Sequence, residues 1–86
     1  MKTCLHLSKI GDEVSRFYQI VDESILVSEN DIFDYSHYYN RLDYKTLKIF
    51  EAQDLKPGKY IVEAVTIDPE NLADRVRYIY LREIEG

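Results

Sequence analysis

KTLKIFEAQDLKPGKYIVEAVTI, residues 45–67, carries the strongest local signal in the chain, and its reading decides the fold class. Pro57 pre-sets the backbone for the first corner of a turn, and Gly58 accepts the positive φ that follows. Beyond this turn, residues 59–67 alternate as a strand does. Tyr60, Val62, Ala64 and Thr66 fall on one side; Ile61, Glu63, Val65 and Ile67 fall on the other. Both sides are largely apolar, which fits an interior strand. Before the turn, residues 47–51 read as a partner strand, so that DLKPGKY closes a hairpin.

Working toward the N-terminus, residues 28–43 read as helical. Ser28 followed three residues later by Asp31 resembles a capping pair. Ile32, Tyr35, Tyr39 and Leu42 then recur on one helix face. Residues 14–21 carry two periods at once. Val14, Phe17, Val21 and Ile25 have helical spacing, yet the run is rich in β-favouring side chains, and a strand is the preferred reading. Asp22-Glu23-Ser24 would turn it into a short strand at 25–28. Residues 2–10 alternate, with Thr3, Leu5 and Leu7 opposite Cys4, His6 and Ser8; the Gly11-Asp12 pair closes this strand.

Toward the C-terminus, Asp68 and Pro69 form a helix start at 68–75. The following VRYIYLREI is dense in strand formers, which predicts a last strand at 75–84. On that strand Tyr78, Tyr80 and Arg82 share a face with Val76 and Ile84, and on a sheet edge it would favour dimerisation by strand pairing. The expected architecture is one α+β, β-rich domain over residues 1–86. It has four or five mostly antiparallel strands, as a small sheet or partly open barrel, with one or two short helices.

Eleven basic and 16 acidic residues give a formal net charge of −5. That balance repels polyphosphate at long range, and the cations are scattered singly rather than striped, so nucleic acid is an unfavoured partner. The single cysteine, Cys4, excludes an internal disulfide framework. No apolar run is long enough for a signal peptide or a membrane span, so the expected compartment is the cytoplasm.

Catalytic signatures are sparse. Cys4 and His6 point the same way on a strand and can meet as a thiol–imidazole pair, but an ordinary core cysteine explains the first as well. Asp34, His37 and Arg41 can share a helix face. Two histidines and one cysteine fall short of a metal-ligand set. No phosphate loop, HExxH, EF-hand or GxSxG pattern is present. The expectation is a protein without catalytic residues, metal or cofactor.

The eight tyrosines are the chemically distinctive feature. DIFDYSHYYNRLDY, residues 31–44, holds four of them, and tyrosine offers a large contact area with a polar handle at low entropic cost. Asp22, Glu23, Glu29, Asp31, Asp34 and Asp43 surround them, with Arg41 the one cation between positions 22 and 43. An aromatic, acidic surface suits a basic protein partner. The candidate partner-binding residues are therefore Asp31, Asp34, Tyr35, His37, Tyr38, Tyr39, Arg41, Asp43 and Tyr44. Tyr35, Tyr38 and Tyr39 would anchor, and the three aspartates would steer. The expected function is a non-catalytic protein-binding accessory or inhibitory module, with a homodimer as a further expected assembly. Two alternatives stand beside it. One is a small barrel binding single-stranded nucleic acid through Arg75, Arg77, Tyr78 and Tyr80; the other is an acidic mimic of nucleic acid that inhibits a nucleic-acid-binding protein.

Overall fold

A computed structural model describes residues 2–67 and 75–84. The elements run β1 (Lys2–Ser8), β2 (Phe17–Val21), β3 (Ile32–Asp34), α1 (Ser36–Tyr39), α2 (Tyr44–Ala52), β4 (Lys59–Ile67) and β5 (Val76–Glu83). The strands form one five-stranded sheet in the order β2-β1-β5-β4-β3. β1 and β5 pair in parallel, from Lys2↔Val76 to Ser8↔Arg82, and the other three pairings are antiparallel. The α+β, β-rich expectation therefore holds, as a mixed sheet with two short helices. The expected helix start at 68–75 falls almost wholly outside the described residues.

One face of the sheet makes the core. Leu5, Leu7, Phe17, Val21, Phe33, Tyr60, Val62, Ile79 and Leu81 point to it, and Tyr35, Phe50, Leu55 and Ile25 close it from the connecting segments. Phe50 is its hub. Its ring meets Phe17 edge-on at 5.2 Å, stacks on Tyr35 at 5.7 Å and touches Tyr39 at 5.2 Å between centroids. Thr3 is buried and satisfied: its hydroxyl donates to the Glu23 carbonyl (2.7 Å) and accepts from the Ile25 amide (3.2 Å).

Residues 47–51 are helix, not strand. Asp43 caps α2 with extended backbone, its carboxylate accepting the Thr46 amide at 2.7 Å. Lys45, Leu47, Lys48, Glu51 and Ala52 are good helix formers. Only Phe50 of the helix is buried, while Ile49 lies 56% exposed; helical spacing, not alternation, decides which side chain reaches the core. The hairpin is thus a helix–turn–strand unit, in which Gly58 does adopt a positive φ of 122°.

Residues 28–43 are not one helix. The Ser28–Asp31 pair forms: the Asp31 carboxylate accepts the Ser28 amide at 2.8 Å. Asn30 then takes φ 73°, which breaks helical continuation, and two backbone bonds fasten this turn to β4 (Asn30 amide to Val62 carbonyl 2.7 Å, Val62 amide to Asp31 carbonyl 2.8 Å). Ile32–Asp34 consequently leave as β3, and only Ser36–Tyr39 is helical.

Residues 25–28 join no ladder and form no strand. Ile25 instead plugs the core, and its carbonyl accepts the Arg77 guanidinium at 2.8 Å. β4 is irregular too. Its register shifts between Val62↔Leu81 and Ala64↔Tyr80, so the inward side passes from Tyr60 and Val62 to Val65. β5 lies between β1 and β4, so it offers no edge, and dimerisation through that strand is excluded.

Candidate functional site: the open face of the sheet

Cross-strand partners share a face, so the ladder determines which side chains meet on the side away from the core. Tyr18 lies opposite His6, and His6 opposite Tyr80; Ile20 lies opposite Cys4, and Cys4 opposite Tyr78. Ala64 and Thr66 extend this face beyond Tyr80 and Tyr78, and Arg82 pairs with Ile61, itself opposite Ile32. Both helices sit against the other face through Tyr38, Tyr39 and Phe50. Tyr18 is 62%, Ile20 59% and Ile32 58% exposed.

His6 is the centre of an aromatic cluster. Its ring stacks on Tyr80 (4.9 Å, 17° between planes), with Tyr78 at 5.9 Å and Tyr18 at 6.0 Å. Both ring nitrogens have partners: Nδ1 lies 2.9 Å from the Ser15 hydroxyl and Nε2 3.4 Å from the Cys4 sulfur. With the proton on Nδ1, the thiol donates to Nε2 and Nδ1–H donates to Ser15. A cavity of about 270 Å³ opens beside His6 and Tyr80, walled by Glu13, Val14 and Glu63. At the other end of the face, Ile10, Ile32, Ile61 and Ile84 line a second cavity of about 380 Å³. Arg82 and Glu63 form an ion pair between the two ends (3.2 Å).

The Cys4–His6–Ser15 chain has the outline of a nucleophile, a base and an orienting group. Its electrostatics run the other way. Burial pushes the Cys4 thiol up and the His6 imidazole down, so both are held neutral rather than as a thiolate–imidazolium pair. Cys4 is also only 4% exposed. The chain of contacts locks the His6 ring in place. Among the described residues, no three His, Cys, Asp or Glu side chains gather closely enough to hold a metal ion.

The nine residues singled out within 31–44 are largely occupied within the chain. Tyr35 is fully buried, its hydroxyl donating to the Gln19 side-chain oxygen (2.7 Å). Tyr39 is half-buried against Phe50. Asp31 and Asp43 hold the amides described above, and Asp34 accepts the Ser36 amide (3.0 Å); hydrogen bonds to Ser36 and Thr46 keep the Asp34 and Asp43 carboxyls below their usual range. Tyr38, His37 and Arg41 do come together. The guanidinium lies 5.0 Å over the Tyr38 ring, donates to His37 Nε2 (2.7 Å) and pairs with Glu23 (2.6 Å). Tyr38 itself stacks on Phe33. Tyr44 stands apart, 72% exposed, with the Lys48 ammonium 5.2 Å from its ring.

Tyr18 and Ile20 were not among the sequence-derived candidates, and His6, Tyr78 and Tyr80 appeared there in other roles. Each strand's alternation was visible, but the β1–β5 pairing that merges two faces into one was not. No protein-family model matches the chain, and neither a curated protein nor a solved structure does.

Proposed function

We propose that this chain is a non-catalytic protein-binding module, accessory or inhibitory to its partner, that docks through the open face of the sheet. The observation that carries this reading is the His6 ring fixed among Tyr18, Tyr78 and Tyr80, on a face where Ile20 and Ile32 also stand exposed. Contiguous exposed apolar surface marks interaction sites. Rings already held by neighbours lose little freedom when a partner covers them.

Charge favours a protein over a nucleic-acid strand. Of the β5 arginines that flank these tyrosines in sequence, Arg77 lies on the core side and donates to the Ile25 carbonyl, and Arg82 is paired with Glu63, which leaves Lys2 at the end of the face. A phosphate backbone would therefore meet little of the electrostatic attraction that dominates such binding. The net charge of −5 suits a partner with a basic rim. A lone buried cysteine suits a reducing compartment such as the cytoplasm. No helix among the described residues is long and apolar enough to cross a membrane.

The test is affinity capture from native lysate, with and without nuclease, using the wild type and two double variants. Tyr78→Ser with Tyr80→Ser is expected to weaken capture of a nuclease-resistant partner at least tenfold while far-UV circular dichroism stays unchanged. Asp34→Ala with Tyr38→Ala is expected to leave it intact. The opposite pattern would place the interface on residues 31–44, and nuclease-sensitive capture would return the reading to nucleic acid.

A further inference from the structure

We infer that β2 is a homodimerisation edge: two copies join by antiparallel pairing of Phe17–Val21 about a two-fold axis at Gln19, making one sheet of two. β2 is one of the two edge strands, and the other, β3, is only three residues long. Outside the β1 ladder, no backbone group of residues 17–21 takes part in a hydrogen bond among the described residues. Exposed edges are ordinarily blunted by lysine, proline, a bulge or inward charge. FYQIV carries none of these.

The sequence is chemically self-complementary in one register. A two-fold axis perpendicular to the sheet pairs residues of like parity, keeping both core faces on the same side. Centred on Gln19, it sets Arg16 opposite Asp22, Phe17 opposite Val21 and Tyr18 opposite Ile20, each twice. Those are one opposite-charge pair and two aromatic–β-branched pairs, the favourable cross-strand combinations. A slip of two residues either way sets Arg16 opposite Ile20 or Asp22 opposite Tyr18. Asp22 is exposed and makes no ion pair among the described residues. Arg16 is held at the strand's end by both Asp12 oxygens (2.7 and 3.1 Å) and the Gln53 carbonyl (3.1 Å), with further N–H donors to spare. Beside this edge, Phe17, Tyr18, Thr46 and the exposed Ile49 line a cavity of about 300 Å³. A second copy would cover that apolar rim and extend the tyrosine face across the two-fold axis.

Light scattering and sedimentation across a concentration series should show a monomer–dimer equilibrium for the wild type. Ile20→Lys and Asp22→Arg alter exposed side chains, and each is expected to weaken dimerisation at least tenfold with unchanged circular dichroism. Register is read by oxidising a mixture of Tyr18→Cys and Ile20→Cys chains, each also carrying Cys4→Ser. Heterotypic disulfides should exceed homotypic ones. A wild type that stays monomeric, a dimer indifferent to Ile20→Lys, or equal cross-linking would each overturn the inference. None of these readouts depends on capture of another protein, so this inference and the proposed function fail separately.

Discussion

Tyr35 and Tyr60 show how this chain uses a polar ring as core material. Both are essentially buried, and each hydroxyl reaches one acceptor, Gln19 Oε1 for Tyr35 and the Lys56 carbonyl for Tyr60 (2.6 Å). Burial, reinforced by the Glu83 charge, pushes the Tyr60 phenol up to about 12, and burial raises Tyr35 as well. Below the ordinary phenol pKa of about 10, both rings are neutral folded and unfolded, and their contribution to stability is complete. As pH rises past it, the unfolded chain releases protons that the folded chain retains. Stability is therefore lost from about pH 10 toward 12, at roughly 1.4 kcal/mol per pH unit for each ring. Urea melts from about pH 9 to about pH 11 should show this fall. Tyr60→Phe should cost about 1 kcal/mol near neutrality, through the lost hydrogen bond, and make the alkaline fall shallower. An equally steep fall in Tyr60→Phe would show that the ring does not titrate as its burial implies.

At the scale of the element, α2 shows where sequence and structure part. Thr46-Leu47-Lys48-Ile49 alternates over four residues, and alternation reads as strand. The Asp43 carboxylate on the Thr46 amide is the competing signal, and it wins because Phe50 must reach a core already shaped by Phe17 and Tyr35. The Ser28–Asp31 pair gave the converse error: its hydrogen bond was legible, but the left-handed Asn30 that follows directs the chain into β3. Strand β1 was legible from its alternation, β4 from alternation next to a Pro-Gly turn, and β5 from its density of strand formers; the shift after Val62 that turns Val65 inward was not legible. Phe50→Ala should cost about 3–5 kcal/mol, a large part of the roughly 5–15 kcal/mol typical of a domain. Chemical denaturation should show most of that loss. A change near that of an exposed site, such as Ile49→Ala, would mean that α2 is not the lid of the core.

At the scale of the molecule, the decisive event is the parallel pairing of β1 with β5. It joins the two ends of the described chain, and nothing local announces it. Sequence places Cys4 and His6 on one side of a strand and Tyr78 and Tyr80 on one side of another; only the ladder Cys4↔Tyr78, His6↔Tyr80 makes them a single surface. This is why DIFDYSHYYNRLDY, the most aromatic stretch, stood out as the candidate interface, although the fold commits Tyr35 to the core and Tyr39 against it. The surface assembled non-locally gathers Tyr18, Tyr78 and Tyr80 around His6, and β2 would carry it across a two-fold axis to a second copy. The most direct test is tyrosine nitration, mapped by mass spectrometry, for the protein free and bound to its captured partner. The docked open face predicts that Tyr18, Tyr78 and Tyr80 become protected relative to the free protein while Tyr44 stays reactive. Protection of Tyr44, with the three sheet tyrosines unchanged, would contradict it.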